Sequence, residues 1–171
     1  SCTTGSSNTA IGTNVMAAIQ NGAFNVAIGR DALDGCVGAS NNVAIGYASL
    51  GGVPGANNTA VGYGSLRVST AADQTAVGYN ALTLSSDGHS NTAMGAYALD
   101  ANTSGDWNVA IGKFALSENQ TSNSNTAIGT DSLANCTGEQ NTVVGYQAGV
   151  GNTSANANVA MGFEASVSNQ T

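Results

Sequence analysis

The stretch Asn58-Thr59-Ala60-Val61-Gly62-Tyr63-Gly64-Ser65-Leu66 decides the fold, because the chain repeats it. Sixteen residues upstream stands Asn42-Val43-Ala44-Ile45-Gly46-Tyr47-Ala48-Ser49-Leu50, and sixteen downstream Gln74-Thr75-Ala76-Val77-Gly78-Tyr79-Asn80-Ala81-Leu82. Extended both ways, the register gives ten anchor glycines, Gly12, Gly29, Gly46, Gly62, Gly78, Gly95, Gly112, Gly129, Gly145 and Gly162, spaced 16 or 17 residues apart. Four residues before each anchor comes Asn8, Asn25, Asn42, Asn58, Gln74, Asn91, Asn108, Asn125, Asn141 or Asn158. Two before it is Ala in nine copies, with Val143 the exception, and one before it is always Ile, Val or Met. Four after it is Leu in seven copies, with Met16, Gly149 and Ser166 the departures.

The length of the unit selects the architecture. A helical repeat needs roughly 33 or more residues to form a helix pair. Sixteen or seventeen suffice for one turn of a narrow solenoid, expected here as two short strands and two bends. The β-branched positions flanking the Ala favour strand. A small residue seven before each anchor (Gly5, Gly22, Gly55, Gly88, Gly105 and Gly138, elsewhere Ala or Ser) is expected to mark a bend with an open backbone conformation. The expected fold is all-β, a parallel β-solenoid or β-roll of about ten coils covering residues 1–171 as one repeat array. At a strand spacing of about 4.8 Å, ten coils make a rod roughly 48 Å long.

Equivalent residues of a solenoid stack into columns along its axis. The Asn/Gln column suits an amide ladder. The Ile/Val/Met column is expected to be core, and the Ala and anchor-Gly columns then lie on the opposite face of the same strand. That second face has no charged or long residue, so it is expected either to meet a neighbouring chain, which argues for an oligomer, or to be buried by a very narrow roll itself. Tyr47, Tyr63 and Tyr79 follow the anchor in consecutive coils, with Tyr146 and Phe163 at the same position later. Stacked rings shield a strand, and their faces also offer a glycan-binding platform. Thr13, Arg30, Ala96, Lys113 and Thr130 interrupt this column.

Composition narrows the functional classes. Only 8% of the 171 residues are charged, and Lys and Arg together number three against a net charge of −7. Nothing neutralises phosphates, so nucleic-acid binding is not expected. No run of 18 or more apolar residues spans a membrane. Cys2, Cys36 and Cys136 share one column too far apart for intrachain bridging, while symmetry-related copies would leave interchain disulfides open. The one His, His89, has no marked nucleophilic partner, and the acids scatter over many columns. Asp131 and Glu164 share a column two coils apart, a spacing compatible with a carboxylate pair but with no cleft-forming insertion. No enzyme, cofactor or metal site is expected.

The units "NTAVGYGSL", "NVAIGYASL" and "NTAIGTDSL" resemble the N-T-A-[IV]-G-Y-x-A-L repeats of phage tail-fibre proteins and related bacterial surface proteins. They are also similar to the head repeats of trimeric autotransporter adhesins, which form a trimer of left-handed parallel β-rolls. The resemblance runs from Asn8 to Ser166 and implies a homotrimer. It implies a rigid, non-catalytic shaft or host-attachment segment of an extracellular fibre or adhesin. The sequence begins and stops partway through a unit, so the array is expected to continue in a longer chain or by end-to-end stacking. Alternatives are an ice- or glycan-binding solenoid, for which Thr9, Thr59, Thr75, Thr92, Thr126 and Thr142 form part of a ladder, or a self-stacking filament subunit. A cell-surface glycan is the receptor class that the tyrosines suggest.

Overall fold

A computed structural model describes residues 4–165. Ten three-residue strands occur in chain order: β1 (Thr9–Ile11), β2 (Val26–Ile28), β3 (Val43–Ile45), β4 (Thr59–Val61), β5 (Thr75–Val77), β6 (Thr92–Met94), β7 (Val109–Ile111), β8 (Thr126–Ile128), β9 (Thr142–Val144) and β10 (Val159–Met161). They form one parallel sheet in which each strand pairs with the next, like residue on like residue: Ala60 opposite Ala76, Val61 opposite Val77. The fold is an all-β parallel solenoid of about nine turns, with no helix among the described residues.

Each coil contains one strand, not the two expected. The return path is a chain of bends, and its backbone still bonds from coil to coil. Asp31 N–H donates back to Thr13 O at 2.9 Å, and Leu33 N–H donates forward to Ser49 O at 3.0 Å. This path is curled because left-handed residues alternate along it. After each anchor, the second residue (Asn14, Asp31, Ala48 and their equivalents) has φ near +50 to +62°. The fourth (Met16, Leu33, Leu50 and onward) does so too, from +48° to +70°. A non-glycine residue held there costs of order 1–3 kcal/mol, so it persists only where its surroundings over-determine it. Here the coil-to-coil bonds and the burial of Leu provide that constraint.

The anchors need glycine for two reasons. All ten have φ between +126° and +142°, a region closed to side chains. In addition, a Cβ on Gly29 would lie 2.6 Å from the carbonyl oxygen of Gly46 in the next coil. The glycines seven before the anchor behave differently from expectation. None has a positive φ. They are small because a Cβ on Gly22, Gly88 or Gly138 would press on the carbonyl of Ala39, Gly105 or Ala155.

The largest departure concerns which strand face points inward. Ala27, Ala44, Ala60, Ala76, Ala93, Ala110 and Ala127 are fully buried, and with Leu33, Leu50, Leu66, Leu82, Leu99, Leu116 and Leu133 they make the core. The Ile/Val/Met column points outward: Ile11 is 58% exposed, Met94 43% and Met161 75%. The physical reason is width. Leu side chains fill the roll from the return path, and only a methyl fits opposite them. The Ala column therefore needs no neighbouring chain. Coil nine demonstrates the constraint: Val143 stands where Ala is usual and Gly149 where Leu is usual, and a Cβ on Gly149 would lie 3.2 Å from a Val143 methyl.

Candidate functional site

Three columns were candidates for chemistry or binding, and the structure places each. The amide column lies inside, buried from Asn25 to Asn141. Each Oδ1 accepts the backbone N–H of the amide one coil on, as in Asn25 to Asn42 at 2.9 Å, Asn42 to Asn58 at 2.8 Å and Asn141 to Asn158 at 3.0 Å. The Nδ2 groups donate to carbonyls seven residues before the next anchor, such as Asn91 to Gly105 O at 2.7 Å and Asn125 to Gly138 O at 2.8 Å. Gln74 interrupts the run because its longer side chain reaches the Ser69 and Ser85 hydroxyls instead. Asn42 Nδ2 is buried without a hydrogen-bond partner. Val53, aligned by sequence with the buried Cys36 column, is in fact 60% exposed. A burial this complete leaves the amides no access to a ligand.

The aromatic column lies on the outside and is longer than the sequence register implied. Tyr47, Tyr63 and Tyr79 stack at 5.1 Å between centroids with interplanar angles of 18° and 12°. Ala96 and Lys113 do not end the ladder, because the next rings come from one residue later. Tyr79 meets Tyr97 edge-on at 5.3 Å, and Tyr97 stacks on Phe114 at 5.2 Å. Tyr97 and Phe114 lie outside the column of the sequence register, and the signal for them is their place directly after each interruption. Arg30 sits over Tyr47 at 5.7 Å and Lys113 over Phe114 at 4.8 Å, so a cation caps each end. Stacking and capping cover the ring faces of Tyr47 and Tyr63, while the edge-on contact between Tyr79 and Tyr97 breaks the face-to-face run. The stacked faces of Tyr47 and Tyr63 are thus not open to a pyranose. Tyr146 and Phe163 form a separate stacked pair at 5.5 Å.

The third column pair is the outer face of the sheet, which joins the Ile/Val/Met column, expected as core, to the Thr ladder. Its twenty residues are the Thr/Val positions from Thr9 to Val159 and the Ile/Val/Met positions from Ile11 to Met161, and none is charged.

The remaining candidates are structural in their contacts. Cys36 and Cys136 are fully buried, and burial raises both thiol pKa values above the usual range. Their S–H groups face the Ala39 and Gly138 carbonyls at 3.6 Å. So enclosed, they are not placed for interchain disulfides; Cys2 lies outside the described residues. His89 accepts the Ala72 N–H at Nδ1, and its backbone N–H donates to the Asp106 carboxylate at 2.6 Å. Gln147 stands between Asp131 and Glu164 in their column and donates to Asp131 at 3.4 Å. Among the described residues no group of three or more His, Cys, Asp or Glu could hold a metal ion, and no helix is long and apolar enough to cross a membrane. No family model matches this chain, and neither a curated protein nor a solved structure matches it.

Proposed function

We propose that this chain is a non-catalytic structural segment of an extracellular fibre or adhesin, a rigid shaft or host-attachment module. In this reading three rolls associate through their outer sheet faces. The observation that carries it is the uncharged outer strip of Thr, Val, Ile and Met, partly exposed along the whole sheet. A strip this continuous marks an interaction surface rather than scattered surface apolarity. Association of identical rolls about a common axis would cover it with matching columns, and the resemblance to fibre and adhesin repeats agrees with that arrangement. Light scattering tests it: a solution mass about three times 16.8 kDa is expected, independent of reductant because the described thiols are enclosed. A monomer at all concentrations would overturn the assembly.

The outward Thr column also favours a second reading, in which the strip meets ice. Val replaces Thr in four of ten copies, which weakens a lattice match. Thermal hysteresis at high protein concentration separates the two.

A further inference from the structure

We infer that a notch at coils two to four binds one acidic sugar residue, a pyranose carrying a carboxylate. This site differs in residues and position from the outer sheet strip, and a monomeric roll would carry it equally.

The notch has a volume of about 310 Å³, and Asp31, Asp34, Tyr47, Ala48, Gly51 and Arg67 line it. That is the lower end of the size range of small-molecule sites, roughly 300–1,000 Å³. It arises from the repeat itself. Asp34, Gly51 and Arg67 occupy the same position, five residues after the anchor, in successive coils. Gly51 contributes no side chain, so a gap separates the acid from the guanidinium, which stand on coils two strand spacings apart, about 10 Å. Ala48, two residues after its anchor, keeps the neighbouring column low where Tyr97 and Phe114 stand in later coils. A Cβ on Gly51 would touch an Asp34 carboxylate oxygen at 3.4 Å, which places that oxygen over the notch floor.

The two walls hold unused charge. Asp31 is engaged, accepting from Arg30 Nε and from Asn14 Nδ2, both at 3.1 Å. No side-chain hydrogen bond or ion pair joins the Asp34 carboxylate or the Arg67 guanidinium to any described residue. Arg67 is one of only three cations in a chain of net charge −7, and all three lie beside the aromatic ladder or the notch at its end. A guanidinium presents paired N–H donors that match a carboxylate. Asp34 accepts from sugar hydroxyls on the opposite wall. The edge of Tyr47, whose faces Tyr63 and Arg30 cover, closes the side. This pattern explains recognition at the end of the ladder without using the covered ring faces.

The test uses the whole chain and sodium glucuronate, followed by ligand-observed saturation-transfer NMR and titration, with glucose and alanine as controls. Saturable binding of glucuronate over both controls is expected. Arg67→Ala should weaken it about tenfold or more, the loss of a charge-assisted pair. Ala48→Tyr, which copies the residue that coil six carries at this position, should abolish binding while leaving the melting temperature and solution mass unchanged. Absent binding to the native chain, equal binding of glucose or alanine, or undiminished binding in a folded Ala48→Tyr protein would each overturn the inference. The mass measurement on the same samples reads the fibre proposal separately.

Discussion

Within a single strand, Ala110 and Ile111 are neighbours with opposite fates: the first has no exposed surface, while the second belongs to the outer strip. The inner face of the sheet is closed by Leu and Asn from its own coil, and its limit is volume. Among the described residues the outer face stays partly exposed, and it is limited only by β-branching and the absence of charge. The difference teaches that in a roll this narrow the smaller side chain goes inside. Replacing adjacent residues should therefore break different things. Ala110→Asp buries an unpaired charge, and a loss of several kcal/mol is expected, read as collapse of the thermal melt followed by circular dichroism. Ile111→Lys should keep the melt of the single roll within about 1 kcal/mol, as for a surface substitution. Under the trimer proposal it should lower the solution mass. Equal destabilisation by the two would refute the inside–outside assignment.

The anchor column sharpens the same contrast between closed and open surroundings. Gly95 and Gly162 share a φ near +140° and +132°. A Cβ on Gly95 would lie 2.6 Å from the Gly112 carbonyl carbon, whereas on Gly162 its nearest contact among the described residues is the Ala165 Cβ at 3.8 Å. Gly162→Ala thus adds backbone strain alone, about 1–3 kcal/mol. Gly95→Ala adds a collision between coils and should cost more, measured by urea titration of both variants. An equal cost would mean that conformation, not coil spacing, demands glycine.

Coil nine permits a test of volume matching across the roll. Val143→Ala alone removes methyls from a filled interior and should cost about 1–2 kcal/mol. Gly149→Leu alone forces a side chain toward Leu133 and Val143, whose atoms lie 2.9 and 3.2 Å from its Cβ position. The double variant restores the Ala–Leu pairing of the other coils. Its stability should exceed that of both single variants, with a favourable coupling of about 1 kcal/mol or more in the cycle. Additivity would show that the two columns do not face each other.

Much of this was legible from the chain. The spacing of the anchors located the ten strands and their in-register parallel pairing, though the roll has about nine turns and not the ten coils expected. Which strand face points inward was misread from the Ile/Val/Met column, since hydrophobicity alone ranks Ile above Ala. The corrective signal was present in Val143 and Gly149, two exceptions in one coil that compensate each other. The left-handed Leu residues were not legible, because Leu has no preference for that conformation and adopts it only when the neighbouring coils hold it. The aromatic ladder was partly legible: the register located Tyr47, Tyr63 and Tyr79, but the step to Tyr97 and Phe114 crosses columns. The notch depends on what is missing, at Ala48 and Gly51, and small residues carry no chemical signal of their own.

Asp100 sits between the two regimes, half-buried at the edge of the interior, and it gives the smallest expected effect. Burial first, and then the nearby Glu118 carboxylate, raise its pKa to about 6 from the ordinary 3.8. The folded state therefore binds this proton more tightly than the unfolded chain does. Its contribution to stability is fully present below about pH 4 and is lost as pH rises through about 6. At pH 8 the residue is a charged group in a poorly solvated place. Asp100→Asn removes that charge and keeps the shape, so it should raise the melting temperature at pH 8. Solvent screens a half-exposed group, so the gain should be less than about 1 kcal/mol. At pH 4, where Asp100 already carries its proton, the two proteins should melt together. A gain of equal size at both pH values would assign it to packing, and Glu118→Gln, which removes the secondary cause, should reproduce a smaller part of the pH 8 gain.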